Sequence, residues 1–340
     1  MTPQFHPQPV NGPFDDPGVY VDFLFERRAL LFDLGDIAPL PPRKVLRISH
    51  AFISHAHVDH FIGFDRLVRL CLGREKRLHL FGPPGFTARV GHRLAGYTWN
   101  LVESYPTDFT VVATELHPDG TSLTDSFRCR REFAPEGVQQ GRIEQGVILD
   151  EEGFRVRAAF LDHGIPSLAF ALEEKNHVNV MKNRLDELGL PTGPWLKDLK
   201  RAILRGTGDG ETIMVRWREE GVTRERAVTV GELRERAVRV VPGQKIAYVT
   251  DAAPTAANAG RIVELAQGAD YLFIETTFLH QEAERAAERC HLTARMAGEL
   301  ARRAGVGRVT PFHISPKYRG MEEEIRREVA EAFGAGDEKL

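Results

Sequence analysis

Residues 54–63 read Ser-His-Ala-His-Val-Asp-His-Phe-Ile-Gly. His55, His57, Asp59 and His60 fall within six positions, spaced H-x-H-x-D-H. The whole chain has only 13 histidines in 340 residues, so three in so short a run is not a chance polar loop. Neutral imidazole and carboxylate are ordinary ligands of Zn²⁺. Two ligands separated by one residue point into the same site when the backbone is extended. The Asp-His pair that follows, turning into a helix, can serve a second ion nearby. The cluster ends an apolar run from Val45 to Ser54 that reads as a strand, and open α/β sheets place their ligand sites at strand ends.

Four ligands do not close two sites. Three further residues stand at predicted strand ends: His163 after FRVRAAFLD, Asp251 after KIAYVT, and His313 after GRVTPF. Spacing alone does not assign them between the two ions. Working outward, VYVDFLFE (19–26) and ALLFDLG (29–35) read as paired strands. Phe64, Leu67, Val68 and Cys71 share a helical face, and RLHLFGPPGF gives a strand and a turn before a helix bearing Phe86, Val90 and Leu94. Residues 109–173 are strand-rich, in the runs FTVVATEL, FRCRREF, GVILDEEG, FRVRAAFL and SLAFALEE. From Lys245 strands alternate with helices, ending in a helix marked by Met321, Ile325, Val329 and Phe333 with Gly334 as its cap. Between them, residues 175–243 are polar, with weak periodicity, and read as an insertion. The expected organisation is one α/β domain in two parts, 1–174 and 244–340, carrying the inserted segment 175–243.

Composition narrows the class. Hydrophobic residues make up 42% and charged residues 27%, the profile of a globular protein. A net charge of -3 advertises neither nucleic acid nor an anionic membrane, so any polyanion site must be a local basic patch. Cys71, Cys129 and Cys290 are odd in number and far apart, which argues against a disulfide framework and a thiolate zinc site. The start MTPQFHPQPVNG has no apolar signal stretch, and no run of about 18 apolar residues occurs. These features predict a cytoplasmic protein with no membrane span.

The motifs, in order, resemble those of the metallo-β-lactamase superfamily, and of its tRNase Z (ribonuclease Z) branch in particular. SHAHVDH resembles the superfamily signature. FDLG (32–35), LFGPPGF (80–86), DHGIPSLAF (162–170), VTDAAP (249–254), IETTF (274–278), HLT (291–293) and FHISPKY (312–318) are similar to segments of that branch. The resemblance implies a four-layer αββα sandwich with an inserted arm. It implies two Zn²⁺ ions, Mn²⁺ or iron also suiting such ligands. His55, His57 and His163 would hold one ion, Asp59, His60 and His313 the other, with Asp251 bridging. It also implies a homodimer. The chain departs from the branch at its start, where FHPQPVNGPFDDPGVYVDF replaces a glycine-rich strand and loop, and at Ile274–Thr277 and Thr250–Ala252, which lack the usual histidine and Gly-Asp-Thr.

Two ions roughly 3.5–4 Å apart share a hydroxide at neutral pH and offset phosphate charge in an in-line displacement. Asp59 would orient that hydroxide, His291 would protonate the leaving alkoxide, and Glu275 would orient His291 or a ligand. The expected reaction is endonucleolytic removal of the 3′ trailer from precursor tRNA. Hydrolysis of small phosphodiesters or other esters is the alternative, and a residual-metal RNA-binding protein a third reading. The segment 188–206 resembles the tRNA-gripping arm of the branch. Residues 173–205 hold seven Lys/Arg against five Asp/Glu, so phosphate contacts there would rest on Lys197, Lys200, Arg201 and Arg205, with Trp195 to stack or pack.

Overall fold

The computed structural model describes residues 4–175, 177–219 and 222–334. Residues 1–3 of the polar start lie outside that range. The described chain divides into two compact units, residues 149–155 with 173–244 in one and the remainder in the other.

The larger unit is built on two sheets. The first has eight strands in chain order: β1 (Phe5–Pro9), β2 (Val19–Phe23), β3 (Ala29–Phe32), β4 (Ile48–Phe52), β5 (Lys76–Gly82), β6 (Phe109–Leu116), β7 (Thr121–Arg128) and β8 (Gln139–Arg142). Strands β3 to β6 run parallel and the flanking pairs antiparallel. In β3, Ala29 and Leu31 belong to the core shared with helices Phe64–Cys71 and Phe86–Ala95, while Phe32 turns to the opposite face. Such two-faced burial explains why ALLF is apolar throughout.

The second sheet contains β9 (Val147–Asp150), β10 (Phe154–Asp162) and β11 (Pro166–Glu174). The chain then forms β12 (His177–Val180), β13 (Thr212–Glu219), β14 (Val222–Thr229) and β15 (Val238–Val241) of the other unit. It returns for β16 (Lys245–Val249), β17 (Tyr271–Glu275) and β18 (Arg308–Phe312), giving the order β18-β17-β16-β11-β10-β9. Helices Ala256–Ala266, Ala294–Ala304 and Glu322–Phe333 share a core with this sheet. The sheets meet through rings: Phe32 lies 5.8 Å from Phe170 and 5.7 Å from Tyr248, and Phe52 lies 5.7 Å from Phe170. Helices outside two facing sheets make the expected four-layer αββα sandwich.

One local reading of the sequence changes, and the unassigned start gains a strand. FRCRREF is not one strand: β7 ends at Arg128, Cys129–Arg131 form a 3-10 turn, and Glu132 and Phe133 take left-handed backbone angles of φ 55°. Cys129 and Phe133 are buried, so apolar spacing in a turn imitated a strand. The start forms β1 despite its prolines, because an edge strand tolerates residues that cannot donate to a ladder.

The smaller unit is more regular than its sequence suggested. Strands β12 and β15 pair antiparallel, as do β13 and β14. Val178, Leu185, Leu199, Val215, Val228 and Leu233 belong to its own core. Weak periodicity misled because this core is fed by one or two residues from each short element. Trp195 is in that core, 4% exposed, with Nε1 donating to the Pro191 carbonyl at 3.0 Å. It packs and is not available to stack on a substrate base, which corrects that part of the expectation. Where the segment begins and ends, Glu174 N donates to Gln244 O at 2.9 Å and Gln244 N to Glu174 Oε2 at 3.0 Å.

Candidate metal centre

Six strand ends deliver the site. β3 leads to Asp33, β4 to His55, β10 to His163, β16 to Asp251, β17 ends on Glu275, and β18 leads to His313. His57 precedes a single helical turn, Val58–Phe61, which carries Asp59 and His60. Backbone bonds tie this turn to the FDLG segment: Leu34 N donates to His60 O and Gly63 N to Leu34 O, both at 3.0 Å. A side chain at Gly63 would put its Cβ 2.2 Å from the Gly35 carbonyl, so the turn approaches that closely only because glycine is there.

The seven residues anticipated as ligands converge. Ligand atoms of His55, His57, His163 and Asp251 lie within 4.8 Å of one another, as do those of Asp59, His60 and His313. Asp251 Oδ2 is 3.4 Å from His163 Nε2, 3.5 Å from His60 Nε2 and 3.6 Å from His55 Nε2, and its Oδ1 is 3.3 Å from His313 Nδ1. One carboxylate therefore faces both groups. Asp59 Oδ2 lies 3.2 Å from His313 Nε2 and 3.5 Å from His60 Nε2. Burial and the neighbouring His60 push His55 down to about 2, which keeps it a neutral donor of a lone pair. Burial would raise Asp59, but the His313 hydrogen bond and the His60 charge outweigh it and hold it at about 2.

A divalent cation fits this set. His60 Nε2 is fully buried and has no hydrogen-bond partner, an expensive arrangement unless something else satisfies it. The same ring's Nδ1 is engaged by Asp33, leaving the Nε2 lone pair aimed between Asp59 and Asp251. Nitrogen and carboxylate oxygen donors suit zinc and also manganese or iron.

Around these groups lie residues whose roles the sequence did not disclose. Asp33 is wholly buried and takes four hydrogen bonds: from Ser54 N (2.6 Å), Ser54 Oγ (2.8 Å), His60 Nδ1 (2.8 Å) and Tyr248 OH (2.8 Å). Burying a lone carboxylate costs several kcal/mol. Hydrogen bonds to a charged group return roughly 1.5–3 kcal/mol each, so four of them offset that cost. Thr250 Oγ1 donates to Asp251 Oδ1 at 2.9 Å. His163 Nδ1 is held by the Cys290 carbonyl at 2.8 Å. Asp33, Cys290 and His313 all adopt positive φ, at 52°, 57° and 54°. Such backbone is uncommon outside glycine and concentrates at functional sites. The sequence signals for Asp33 were a charge ending the wholly apolar run ALLF and its place in the FDLG segment, neither of which disclosed its partners.

Beside both groups stands His291. Its ring centre lies 4.9 Å from that of His163 and 5.8 Å from that of His313. Its Nδ1 meets Glu275 Oε2 at 2.8 Å, and Glu275 also accepts from Ala252 N and Thr277 Oγ1. Burial would depress His291, but the charge and hydrogen bond of Glu275 overcome it and push it up to about 9. Thr293, two residues on, caps helix Ala294–Ala304 by accepting from Met296 N. Lys197 and Arg201 are exposed on helix Trp195–Leu204, Lys200 is half-buried, and Arg205 pairs with Glu152 at 2.8 Å.

Comparisons with known proteins identify the family. Residues 226–314 match the model of the Beta-lactamase superfamily domain. Fold and site together define a metal-dependent hydrolase of the metallo-β-lactamase fold. Over 293 residues the chain is 30% identical to ribonuclease Z of Deinococcus radiodurans, covering 85% of this chain and 83% of that one. It is 29% identical over 314 residues to ribonuclease Z of Natronomonas pharaonis, covering 90% and 83%. The chain belongs to the ribonuclease Z family. Its fold is also similar to the crystal structures of the short form of human tRNase Z (TM-score 0.51, 18% identity, 93% of each chain) and of the metallo-β-lactamase fold protein YhfI from Bacillus subtilis (TM-score 0.54, 13% identity, 96% and 92%). Family membership brings divalent-metal use with it. No helix among the described residues is long and apolar enough to cross a membrane.

Proposed function

We propose that the chain is a zinc-dependent endoribonuclease that removes 3′ trailers from precursor tRNA, leaving a 3′-hydroxyl on the tRNA. The observation that carries this reading is His291, held by Glu275 beside two groups of metal-type ligands. Hydrolysis of an RNA diester needs a proton for the departing 3′-oxygen, and esterases acting on activated esters do not.

His55, His57 and His163 would hold one ion, Asp59, His60 and His313 the second, with Asp251 between them. Such a pair supplies a nucleophile at neutral pH and offsets charge on the phosphate. Asp59, half-exposed and ionised, accepts a hydrogen bond from the attacking water and aligns it. The bond from that oxygen to phosphorus forms as the phosphorus–3′-oxygen bond breaks. His291 gives its proton to the 3′-oxygen, and Glu275 stabilises the charged ring until then. Asp33, Ser54 and Tyr248 keep His60 oriented throughout. The tRNA substrate is supported by the family and by exposed Lys197 and Arg201 on the smaller unit. The family resemblance also carries the expectation of a homodimer.

Hydrolysis of small phosphodiesters is favoured by one observation. The loop that replaces the family's glycine-rich segment carries Asp15 and Asp16, and a Cβ on Gly35 would sit 2.7 Å from Asp16 Cβ and 2.6 Å from Asp59 O. Asp15 is paired with Arg319 at 3.2 Å, so Asp16 is the acidic residue beside the site that disfavours a polyanion. One preparation decides between the two activities, assayed for bound metal, cleavage of a precursor tRNA with a 3′ trailer, and hydrolysis of bis(p-nitrophenyl) phosphate. Metal-dependent cleavage of the precursor at the trailer junction is expected. Turnover of the small ester alone overturns the tRNA reading.

A further inference from the structure

A groove of about 190 Å³ opens directly from the metal centre. His55 and His57 of the centre line it together with Pro83, Pro84, Ile165 and Arg89. Its size is below the roughly 300–1,000 Å³ of a pocket for a whole drug-sized ligand, so it suits a single ring system. The prolines and Ile165 offer flat or branched apolar surface, and Ile165 is 40% exposed. Arg89, exposed, makes no ion pair among the described residues. Its guanidinium reaches the Pro84 carbonyl only at a long 3.4 Å. Gly85, at φ 80°, leaves the space the guanidinium uses, since a Cβ there would lie 2.5 Å from Arg89 Nη1.

We propose that this groove binds the nucleoside joined to the scissile phosphate through the oxygen that stays on phosphorus, with its base between Pro83, Pro84 and Ile165 and its next phosphate at Arg89. The inference deepens the phosphodiesterase reading and rests on it. Position within the centre assigns the side. The His163 ring lies 5.3 Å from that of His57 and 4.9 Å from that of His291, centre to centre. The groove is lined by His55 and His57, whereas the proton donor His291 has the rings of His163, Phe278 and His313 as its neighbours, so the leaving nucleoside belongs on the His291 side. In a precursor tRNA the groove therefore takes the first trailer nucleotide. Apolar side chains give no hydrogen-bond code, so every base fits, and one guanidinium without an ion pair among the described residues complements the one phosphate within reach.

A ladder of three p-nitrophenyl diesters tests this without tRNA: methyl p-nitrophenyl phosphate, thymidine 5′-(p-nitrophenyl phosphate), and the same ester carrying a 3′-phosphate. The expected kcat/KM rises on the order of tenfold at the nucleoside step and again at the phosphate step. Ile165→Ala removes most of the first rise and Arg89→Ala most of the second. Arg89→Ala also lowers the slope of log(kcat/KM) against log salt by about 0.7 for the phosphorylated ester. A flat ladder in the wild-type protein overturns the proposal, as does a nucleoside preference that both variants keep. Failure to cleave precursor tRNA with a rising ladder removes the tRNA reading and leaves the groove standing. Cleavage of tRNA with a flat ladder does the reverse. The wild-type ladder is by itself able to overturn the proposal, so a misfolded variant does not settle the outcome.

Discussion

Asp33 Oδ2 lies 2.8 Å from His60 Nδ1, on the side of the ring facing away from the centre. The carboxylate fixes that nitrogen as the donor and so presents Nε2, buried and otherwise unpartnered, to a cation. Asp33→Asn keeps the shape and removes the charge. It is expected to weaken metal retention roughly 10–100-fold, as loss of a carboxylate behind a ligating histidine does. Chelator competition followed by mass spectrometry of bound metal measures this. Unchanged retention would show that Asp33 serves only the fold.

The two aspartates should separate in the same assay. Asp251 faces both ligand groups, whereas Asp59 faces only His60 and His313. Asp251→Ala is expected to lower metal content more than Asp59→Ala, while both abolish turnover. Equal metal content in the two variants contradicts the bridging position.

His291 gives the pH prediction for catalysis. A general acid must carry its proton, so RNA cleavage is lost as pH rises through the His291 value of about 9. Glu275→Gln removes the main influence raising that value, and the alkaline limb of kcat should move toward neutral pH. The p-nitrophenolate of bis(p-nitrophenyl) phosphate departs without a proton, so its profile should not follow. Parallel shifts on both substrates would assign the limb to the metal ligands.

A second histidine bears on stability. Burial, then the nearby His79, Arg28 and Lys76, push His50 down to about 3, and its Nδ1 faces Arg28 Nη2 at 3.1 Å. Its folded value is below the unfolded one of 6.5, so the unfolded chain takes the proton first. The stabilisation is present above about pH 6.5 and is lost as pH falls toward 3. Between pH 7 and 5 the loss is about 2 kcal/mol. His50→Gln, which cannot titrate, should flatten urea-midpoint dependence over that interval by this amount. An unchanged slope would place the titration elsewhere.

The smaller unit is tested by charge. Reversing Lys200 and Arg201 to glutamate is expected to raise apparent KM for precursor tRNA and to lower the salt slope by about 2. Loss of the same size on bis(p-nitrophenyl) phosphate would count against RNA binding there.

Much of the centre was legible because its ligands follow strands whose apolar runs are hard to misread. His55 to His60 announce themselves by density, and His163, Asp251 and His313 by standing at strand ends. What surrounds them was not. Asp33 and Tyr248 are 215 residues apart, and only the packing of the two sheets makes them partners. The same limit applied to Trp195, whose neighbours come from short elements scattered between Val178 and Val238. An isolated turn such as Cys129–Arg131 can carry apolar residues at strand-like spacing, and nothing local distinguishes the two.

The clasp between Glu174 and Gln244 has an evolutionary meaning. It brings two residues separated by 70 positions in the chain to neighbouring backbone positions, joined by a 2.9 Å hydrogen bond. A chain closed at its neck costs the sheet nothing in register whether the excursion is long, short or replaced, because strands β11 and β16 sit side by side either way. Descent can therefore lengthen, shorten or replace this segment while strands β11 and β16 stay paired and the ligand-bearing strand ends keep their places.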